Sequence, residues 1–315
     1  MVLEFRQDFT KKSVIIVANE RGKRPVIFGK EFSCPFCKGA ENTTPPTKFQ
    51  IPQDNWRVRA FDNVFALVGK EGKYVELNGI NPVSYAFGSH EVIVESDFHE
   101  ELFHEFGELQ LKFVFAAYKN RFEELMKEDG SKYVHLFKNH GRNAGASIEH
   151  EHSQIISFPF VPGMLADELA LFNESAGKGK CHLCETLAKE QENILIDNDF
   201  FTAICPSFSK FANEVWIIPK AHVPSMAELT EEQGLHLMKL LRECLRRVHY
   251  IVKDYNVIFH NSPKSASGGT EKNFHFHIEI YPRSGYWAGV ELGTGVIVNQ
   301  KSEKDALNTL KSVKT

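Results

Sequence analysis

No run of apolar residues in this 315-residue chain approaches the roughly 18 that a membrane span requires. A basic excess is also missing. With 37 Lys and Arg against 41 Asp and Glu, the formal charge is −4, so the broad positive surface that neutralises a nucleic-acid backbone is excluded. The opening Met1-Val-Leu-Glu-Phe-Arg-Gln-Asp has no apolar core of the secretion-signal kind, and a cytoplasmic protein is expected. Tryptophan is scarce at three residues and cysteine at six. Phe alone is abundant, at 26 residues, and core packing accounts for it without any functional role. A composition of 42% hydrophobic and 25% charged residues is ordinary for globular chains and disfavours disordered and fibrous classes. At roughly 150 residues per domain, the length suggests two domains, each able to bury its own core.

Four of the six cysteines fall in two short pairs, Cys34-Pro-Phe-Cys37 and Cys181-His-Leu-Cys184. This spacing brings two thiolates to one point, as tetrahedral zinc requires, but it also serves redox enzymes. A cytosolic chain disfavours a structural disulfide, which leaves metal or redox chemistry. A redox pair would open a helix after a strand, whereas Cys34 follows an arm and precedes the loop-like Lys38–Pro46. Zinc is therefore the preferred reading.

The pairs belong to a larger repeat. Glu91–His99 is a strand-like run ending in His, with Glu105 six residues on, and Glu214–His222 has the same shape, with Glu228 six residues on. His150-Glu-His152 then answers to His275-Phe-His277. The interval from the lone His to the pair is 51 residues (99 to 150) in one half and 53 (222 to 275) in the other. An internal duplication is the simplest account. Each half then offers a Cys₂His₂ set: Cys34, Cys37, His99 and His150 in the first, Cys181, Cys184, His222 and His275 in the second. Two zinc ions per chain are expected, each contributing on the order of 10 kcal/mol to folding. Cys205 and Cys244 lack such a pattern, and Cys244 lies on the apolar stripe Leu237, Leu240, Leu241, Leu245, Val248 as a core thiol.

Periodicity predicts an extended arm to about residue 50, then strands at Val58–Val68, Lys73–Leu77 and Glu91–Glu95. A helix follows from about Glu100 to Lys127, stopped at Gly130, and then strands at Tyr133–Asn139 and Ile148–Ser157. The second half repeats this with strands at Phe200–Ile204 and Glu214–Ile218. A helix then opens on the capping box Thr230-Glu-Glu-Gln233 and runs to about Asp254. Strands at Asn256–Asn261 and Asn273–Tyr281 complete it, and the last ten residues read as frayed. Strands with one long helix per half indicate an α+β fold with a mostly antiparallel sheet. The boundary between the halves falls in Phe158–Gly163.

Residues 137–154 carry the chemistry. On a strand over Ile148–Ser157, alternation puts His150, His152 and Gln154 on one face. A metal would fix His150, and His152 would present its imidazole from a rigid support. Small residues from Gly141 to Ser147 would let an anion approach the backbone amides. An imidazole beside amide and hydroxyl donors suits attack on phosphorus.

These residues resemble the galactose-1-phosphate uridylyltransferases, within the histidine triad superfamily. Their motif, Asn…Gly-x-Ser-x-x-His-x-His-x-Gln, is met by Asn139, Gly145, Ser147, His150, His152 and Gln154. The resemblance implies two tandem histidine-triad-like domains, a catalytic one over 1–162 and a silent one over 163–315. It also implies ping-pong chemistry: His152 attacks the α-phosphorus of a nucleoside-diphosphate sugar, and a sugar 1-phosphate or inorganic phosphate then accepts the nucleotide. Ser147 and Gln154 would hold phosphate oxygens, with Asn139 and Gly145 nearby. Arg21 and Arg24 resemble the family's basic arm, Asn63 a residue near the ribose, and Glu291, Gly293 and Thr294 the segment that receives the sugar phosphate. The family's dimers make a homodimer the expected assembly.

Three positions differ from the uridylyltransferase pattern. Glu151 stands where those enzymes carry Pro, and Ser153 where they carry Gly; Glu279 in the second half takes the place of Gln154. The His-x-His-Ser-Gln form that Ser153 creates, with the second Cys pair and the Glu-Leu-Gly-Thr-Gly tail, looks more like the ADP-glucose phosphorylase branch, which passes AMP to phosphate. The third sets a carboxylate where a phosphate would be repelled, consistent with a silent second half. A uridylyltransferase acting on UDP-glucose and a hexose 1-phosphate is the leading expectation, ahead of AMP transfer to phosphate. A histidine triad hydrolase and a non-enzymatic zinc-stabilised nucleotide binder are less favoured. The sequence leaves zinc or iron in the metal sites open.

Overall fold

A computed structural model describes residues 3–314 apart from 9, 12, 25, 27–33, 80 and 81. Pro25, next to Arg24 in the basic arm, lies outside the described residues. The strands of the first half are β1 (Leu3–Gln7), β2 (Val14–Ala18), β3 (Thr47–Ile51), β4 (Val58–Asp62), β5 (Val83–Tyr85), β6 (His90–Val94), β7 (Tyr133–His140) and β8 (His152–Phe158). Those of the second are β9 (Ile194–Asp197), β10 (Phe201–Ile204), β11 (Val215–Pro219), β12 (Tyr255–His260) and β13 (His277–Pro282). The helices are α1 (Glu108–Lys127), α2 (Gly163–Ala176), α3 (His182–Lys189), α4 (Glu231–Ile251), α5 (Gly289–Thr294) and α6 (Glu303–Lys311).

Ten strands form one antiparallel sheet in the order β3-β4-β6-β8-β7-β12-β13-β11-β10-β9. Outward from the centre, β7-β8-β6-β4-β3 is matched by β12-β13-β11-β10-β9. The order is thus palindromic about the β7–β12 pair, as a duplicated unit joined edge to edge requires. Each half inserts its long helix at the same point, α1 between β6 and β7 and α4 between β11 and β12. Glu105 and Glu228, six residues after each lone His, both end short 3-10 turns.

Helices α1 and α4 pack on each other and on one face of the sheet. Leu111, Val114, Phe115, Tyr118, Phe122 and Leu125 of α1 meet Leu237, Leu241, Cys244, Leu245 and Val248 of α4 over Val134, Leu136, Ile155, Val257, Phe259 and Ile278. Each such side chain contributes about 1.5–3 kcal/mol of burial. The expected cap forms: Thr230 Oγ1 accepts from the Gln233 N–H at 3.2 Å, and Gln233 Oε1 from the Thr230 N–H at 2.9 Å. Since Ile155 faces the helices, alternation sends His152 and Gln154 to the opposite face.

Several sequence expectations change. The arm is not simply extended, because β1 and β2 pair and β1 also pairs with β5 in a separate three-stranded sheet. The strand from Val58 ends at Asp62, where Asn63 Oδ1 accepts from the Phe65 N–H at 2.9 Å and turns the chain. Lys73–Leu77 is no strand; the Val75 N–H bonds the Ser84 hydroxyl (2.7 Å) instead of a ladder partner. The first long helix begins at Glu108, not Glu100, because a 3-10 turn at Phe103–Glu105 and Gly107 intervene. Both His-x-His strands start on their second histidine, His152 and His277, since His150 and His275 are drawn towards the thiols. In place of the expected fraying, α6 runs over Glu303–Lys311 and buries Ala306, Leu307 and Leu310.

Candidate functional site

Sequence-distant thiols and imidazoles meet twice. In the first cluster, His150 Nδ1 lies 3.7 Å from Cys34 Sγ and 3.6 Å from Cys37 Sγ, and His99 Nδ1 lies 3.5 Å from Cys37 Sγ. In the second, His275 Nδ1 lies 3.3 Å from Cys181 Sγ and 3.5 Å from Cys184 Sγ, with the His222 ring 4.8 Å from that of His275. A tetrahedral ion with metal–sulfur bonds of about 2.3 Å and metal–nitrogen bonds of about 2.0 Å spans a ligand-to-ligand edge of about 3.5 Å. The observed separations match, so both groups could hold a metal. Outer contacts fix the rings: His150 Nε2 donates to the Ser96 carbonyl (2.7 Å), His275 Nε2 to that of Pro219 (3.2 Å), and His222 Nε2 to that of Lys272 (2.9 Å). The second pair does open a helix, α3, as a redox pair would. Burial nevertheless pushes the Cys34 and Cys184 thiols up to about 12, opposite to the lowered value that redox exchange needs.

Two residues beyond the His150 anchor, the His152 Nδ1–H donates to the His150 carbonyl at 2.7 Å, which leaves Nε2 free. Burial pulls this imidazole down to about 4, so the ring is neutral near pH 7. The Phe36 ring packs edge-on to it with centroids 5.2 Å apart. In front lies a cavity of about 250 Å³ lined by Phe36, Phe61, Val92, Thr43, Thr44, Arg24, Asn63, Ser147, His152 and Gln154. Its wall is aromatic and aliphatic on one side, polar on the other.

The Gln154 amide is oriented by residues outside the sequence motif. His90 accepts from the Leu67 N–H through Nδ1 (3.0 Å), so its Nε2–H donates to Gln154 Oε1 (3.0 Å). Asn63 Nδ2 converges on the same oxygen at 3.3 Å. Arg21 donates to the Phe65 carbonyl (2.8 Å), and Arg24 reaches the Gly145 carbonyl (3.5 Å). Burial and the neighbouring Arg24 hold Arg21 down to about 10; two crowded guanidiniums suit an anionic ligand. The Gly141–Ser147 turn departs from expectation. Its Gly145 and Ala146 N–H groups donate within the turn, to Arg142 O (3.0 Å) and Gly141 O (3.1 Å), and so face no anion.

Glu151 faces the helices, ion-paired with buried Lys138 and 3.1 Å from His140 Nδ1; the Lys138 ammonium keeps it ionised despite its burial. Ser153 hydrogen-bonds the Tyr118 hydroxyl at 2.7 Å and joins Glu95. Both departures thus belong to one buried network beneath β8.

The second half copies the frame of this site but sets carboxylates around its imidazole. His277 Nδ1 also donates to the carbonyl two residues back, His275, at 3.0 Å. Its Nε2 lies 3.5 Å from both Glu168 and Glu279. Against its burial, these carboxylates raise the imidazole and favour the cation, which is no nucleophile. Trp216 lies flat on the His277 ring, with centroids 4.9 Å apart. Glu168, His260 and His277 form a third group that could hold a metal, which sequence reading missed because Glu168 and His260 lie outside any motif.

Of the residues singled out by sequence, His152, Gln154, Ser147, Asn63 and Arg24 line one cavity. Asn139 and Gly145 lie beside it, linked through Arg24, and Arg21 borders the same wall. Glu291, Gly293 and Thr294 sit on exposed α5, and none of them lines the cavity. His90, Thr43 and Thr44 were missed; His90 lies one residue before the predicted strand Glu91–Glu95 and within the observed one, His90–Val94.

Comparison with known proteins follows this geometry. The family model for the N-terminal domain of galactose-1-phosphate uridyl transferase matches residues 9–162, and that for its C-terminal domain matches 128–284. The chain is 29% identical to the ADP-glucose phosphorylase of Arabidopsis thaliana, over 98% of this chain and 93% of that one. It is 26% identical to the galactose-1-phosphate uridylyltransferase of Thermotoga maritima, over 98% of each. Among solved structures, the Arabidopsis thaliana ADP-glucose phosphorylase with bound ADP-glucose superposes with a TM-score of 0.80 at 27% identity, covering 99% of this chain and 100% of that one. A uridylyltransferase does so at 0.82 and 26%, covering 98% and 97%. No helix among the described residues is long and apolar enough to cross a membrane.

Proposed function

Because this chain is a nucleotidyltransferase of the galactose-1-phosphate uridylyltransferase family, we propose that it moves a nucleoside monophosphate from a nucleoside-diphosphate sugar to a phosphate-bearing acceptor through a covalent bond to His152. The observation that carries this reading is the His152 Nδ1–His150 O bond of 2.7 Å, which turns the free Nε2 towards the cavity. Nε2 attacks the α-phosphorus, the P–N bond forms, and the bridging P–O bond breaks. The sugar 1-phosphate leaves with the electron pair. Ser147, Gln154 and the Arg21–Arg24 arm face the charge that builds on the non-bridging oxygens. An acceptor phosphate then attacks the same phosphorus from the vacated side, and His152 is restored.

Zinc is the metal that the two Cys₂His₂ groups fit, held by Cys34, Cys37, His99 and His150 and by Cys181, Cys184, His222 and His275. Bound there, it supplies rigidity: the first ion fixes His150, whose carbonyl in turn orients His152. In this reading residues 1–162 form the catalytic unit and 163–315 the silent one, within a homodimer to which Glu291, Gly293 and Thr294 bring acceptor contacts.

UDP-glucose with a hexose 1-phosphate is the first pair to test. AMP transfer from ADP-glucose to phosphate is the second, favoured by Ser153 within its network and by the Arabidopsis thaliana relative. Incubation with each labelled donor, quenched and examined by intact mass, separates the two. One nucleoside monophosphate adduct is expected on the wild type and none on His152→Ala. An adduct persisting in that variant overturns the assignment.

A further inference from the structure

Asn139 belongs to the motif of the first half, but the orientation of its amide is set by the second. β7 and β12 pair with Asn139 directly opposite Asn256. The Asn256 amide nitrogen donates to Asn139 Oδ1 (2.8 Å) and to the Ala144 carbonyl (2.8 Å), while its oxygen accepts from Arg283 Nη1 (3.2 Å). Both amide hydrogens and the oxygen of this buried residue are engaged, so a flip would break all three bonds. With its oxygen occupied, Asn139 turns its NH₂ towards the Gly145 turn, where Nδ2 lies 4.0 Å from the position of a Cβ at Gly145. Arg24 reaches the Gly145 carbonyl from the other side. A donor, not an acceptor, therefore faces the Gly145 turn, which Arg24 links to the cavity.

We propose that Asn256 is a positioning residue for nucleotidyl transfer, acting from the second half by locking the Asn139 amide in the orientation that presents its NH₂ to the nucleotide phosphates. The inference rests on the reading of Asn139 as a phosphate contact. Arg283 extends the lock, because it holds the oxygen end of Asn256. The seam between the halves thus carries an ordered chain of donors, Arg283 to Asn256 to Asn139, that ends at the site.

The test is the single-turnover rate of adduct formation with ADP-glucose and UDP-glucose in the full-length, metal-loaded protein. Asn256→Ala is expected to slow adduct formation about tenfold, the loss of one oriented hydrogen bond. Asn256→Asp should slow it further, since a carboxylate draws the Asn139 NH₂ towards itself and turns the carbonyl oxygen to the anion. Asn256→Ser covers the case in which the alanine variant fails to fold. Coupling separates positioning from mere packing: in an Asn139→Ala background, Asn256→Ala should cost no further rate, whatever its effect on thermal unfolding. Effects that multiply, or an unchanged rate in folded Asn256→Ala and Asn256→Asp, overturn the proposal. Failure of the wild type to form any adduct would instead defeat the transfer reading itself.

Discussion

His90 donates its Nε2 hydrogen to Oε1 of Gln154 across 3.0 Å, and this bond decides which end of the Gln154 amide meets the cavity. Because the Leu67 N–H fixes the opposite nitrogen of the ring as an acceptor, the tautomer leaves no alternative. The Gln154 NH₂ is then the end left for an anion. His90→Phe keeps the ring's volume and removes this donor. Adduct formation on His152 is expected to slow about tenfold in a protein that still folds, by quench-flow measurement. An unaltered rate in the folded variant would show that Gln154 needs no such support.

The two Cys/His groups should be separable. Cys37→Ser is expected to lower bound zinc from two ions to one and to abolish adduct formation, because His150 loses the anchor that orients His152. Cys184→Ser should also lose one ion, and several kcal/mol of stability with it, yet still form the adduct. Metal content by mass spectrometry and adduct formation, read on the same samples, check both. Equal loss of adduct in the two variants would show that the sites do not act separately.

Acid should destabilise the protein through its buried imidazoles. Burial holds His90 and His135 down to about 3, against an ordinary value of 6.5 in the unfolded chain. Below pH 6.5 the unfolded chain takes up protons that the folded chain refuses. Stability therefore falls with pH, and keeps falling until the folded rings protonate near 3. Each group contributes a slope of about 1.4 kcal/mol per pH unit within that window. Urea unfolding of His135→Phe between pH 7 and 5 should show a shallower dependence than the wild type. Parallel curves would rule out a contribution from His135.

In the second half, His277→Ala should leave adduct formation within about twofold of the wild type, because a surface or core change away from the reacting atoms alters stability and not the chemical step. The comparison with His152→Ala uses the same intact-mass measurement. A deep loss in His277→Ala would mean that both halves take part in the chemistry.

Much of this was readable in the sequence where residue type and spacing are dictated by chemistry. Thiolates and imidazoles able to share an ion must recur in a set order, so both Cys₂His₂ groups that the fold assembles were visible beforehand. The α4 stripe and its Thr230–Gln233 cap follow from helical period and local hydrogen bonding, and both hold. What escaped depends on contacts far apart in the chain. His90 and Gln154 are 64 positions apart, Asn256 and Asn139 117. No local pattern marks either pair. The His150 strand assignment failed for the same reason: alternation predicts a strand through it, while the distant Cys34 and Cys37 bend it out. Helix α6 was missed because its apolar residues are few, and the surface they cover is built by the distant α4 and β9.

The β7–β12 ladder joins the two copies through backbone hydrogen bonds, which do not depend on which side chains survive. An inherited duplicate could therefore surrender its nucleophile without becoming dispensable, since a chain cut after the first copy would leave β7 as a bare edge open to any passing strand. Selection could let reactivity lapse on one side while still guarding the continuity of the sheet.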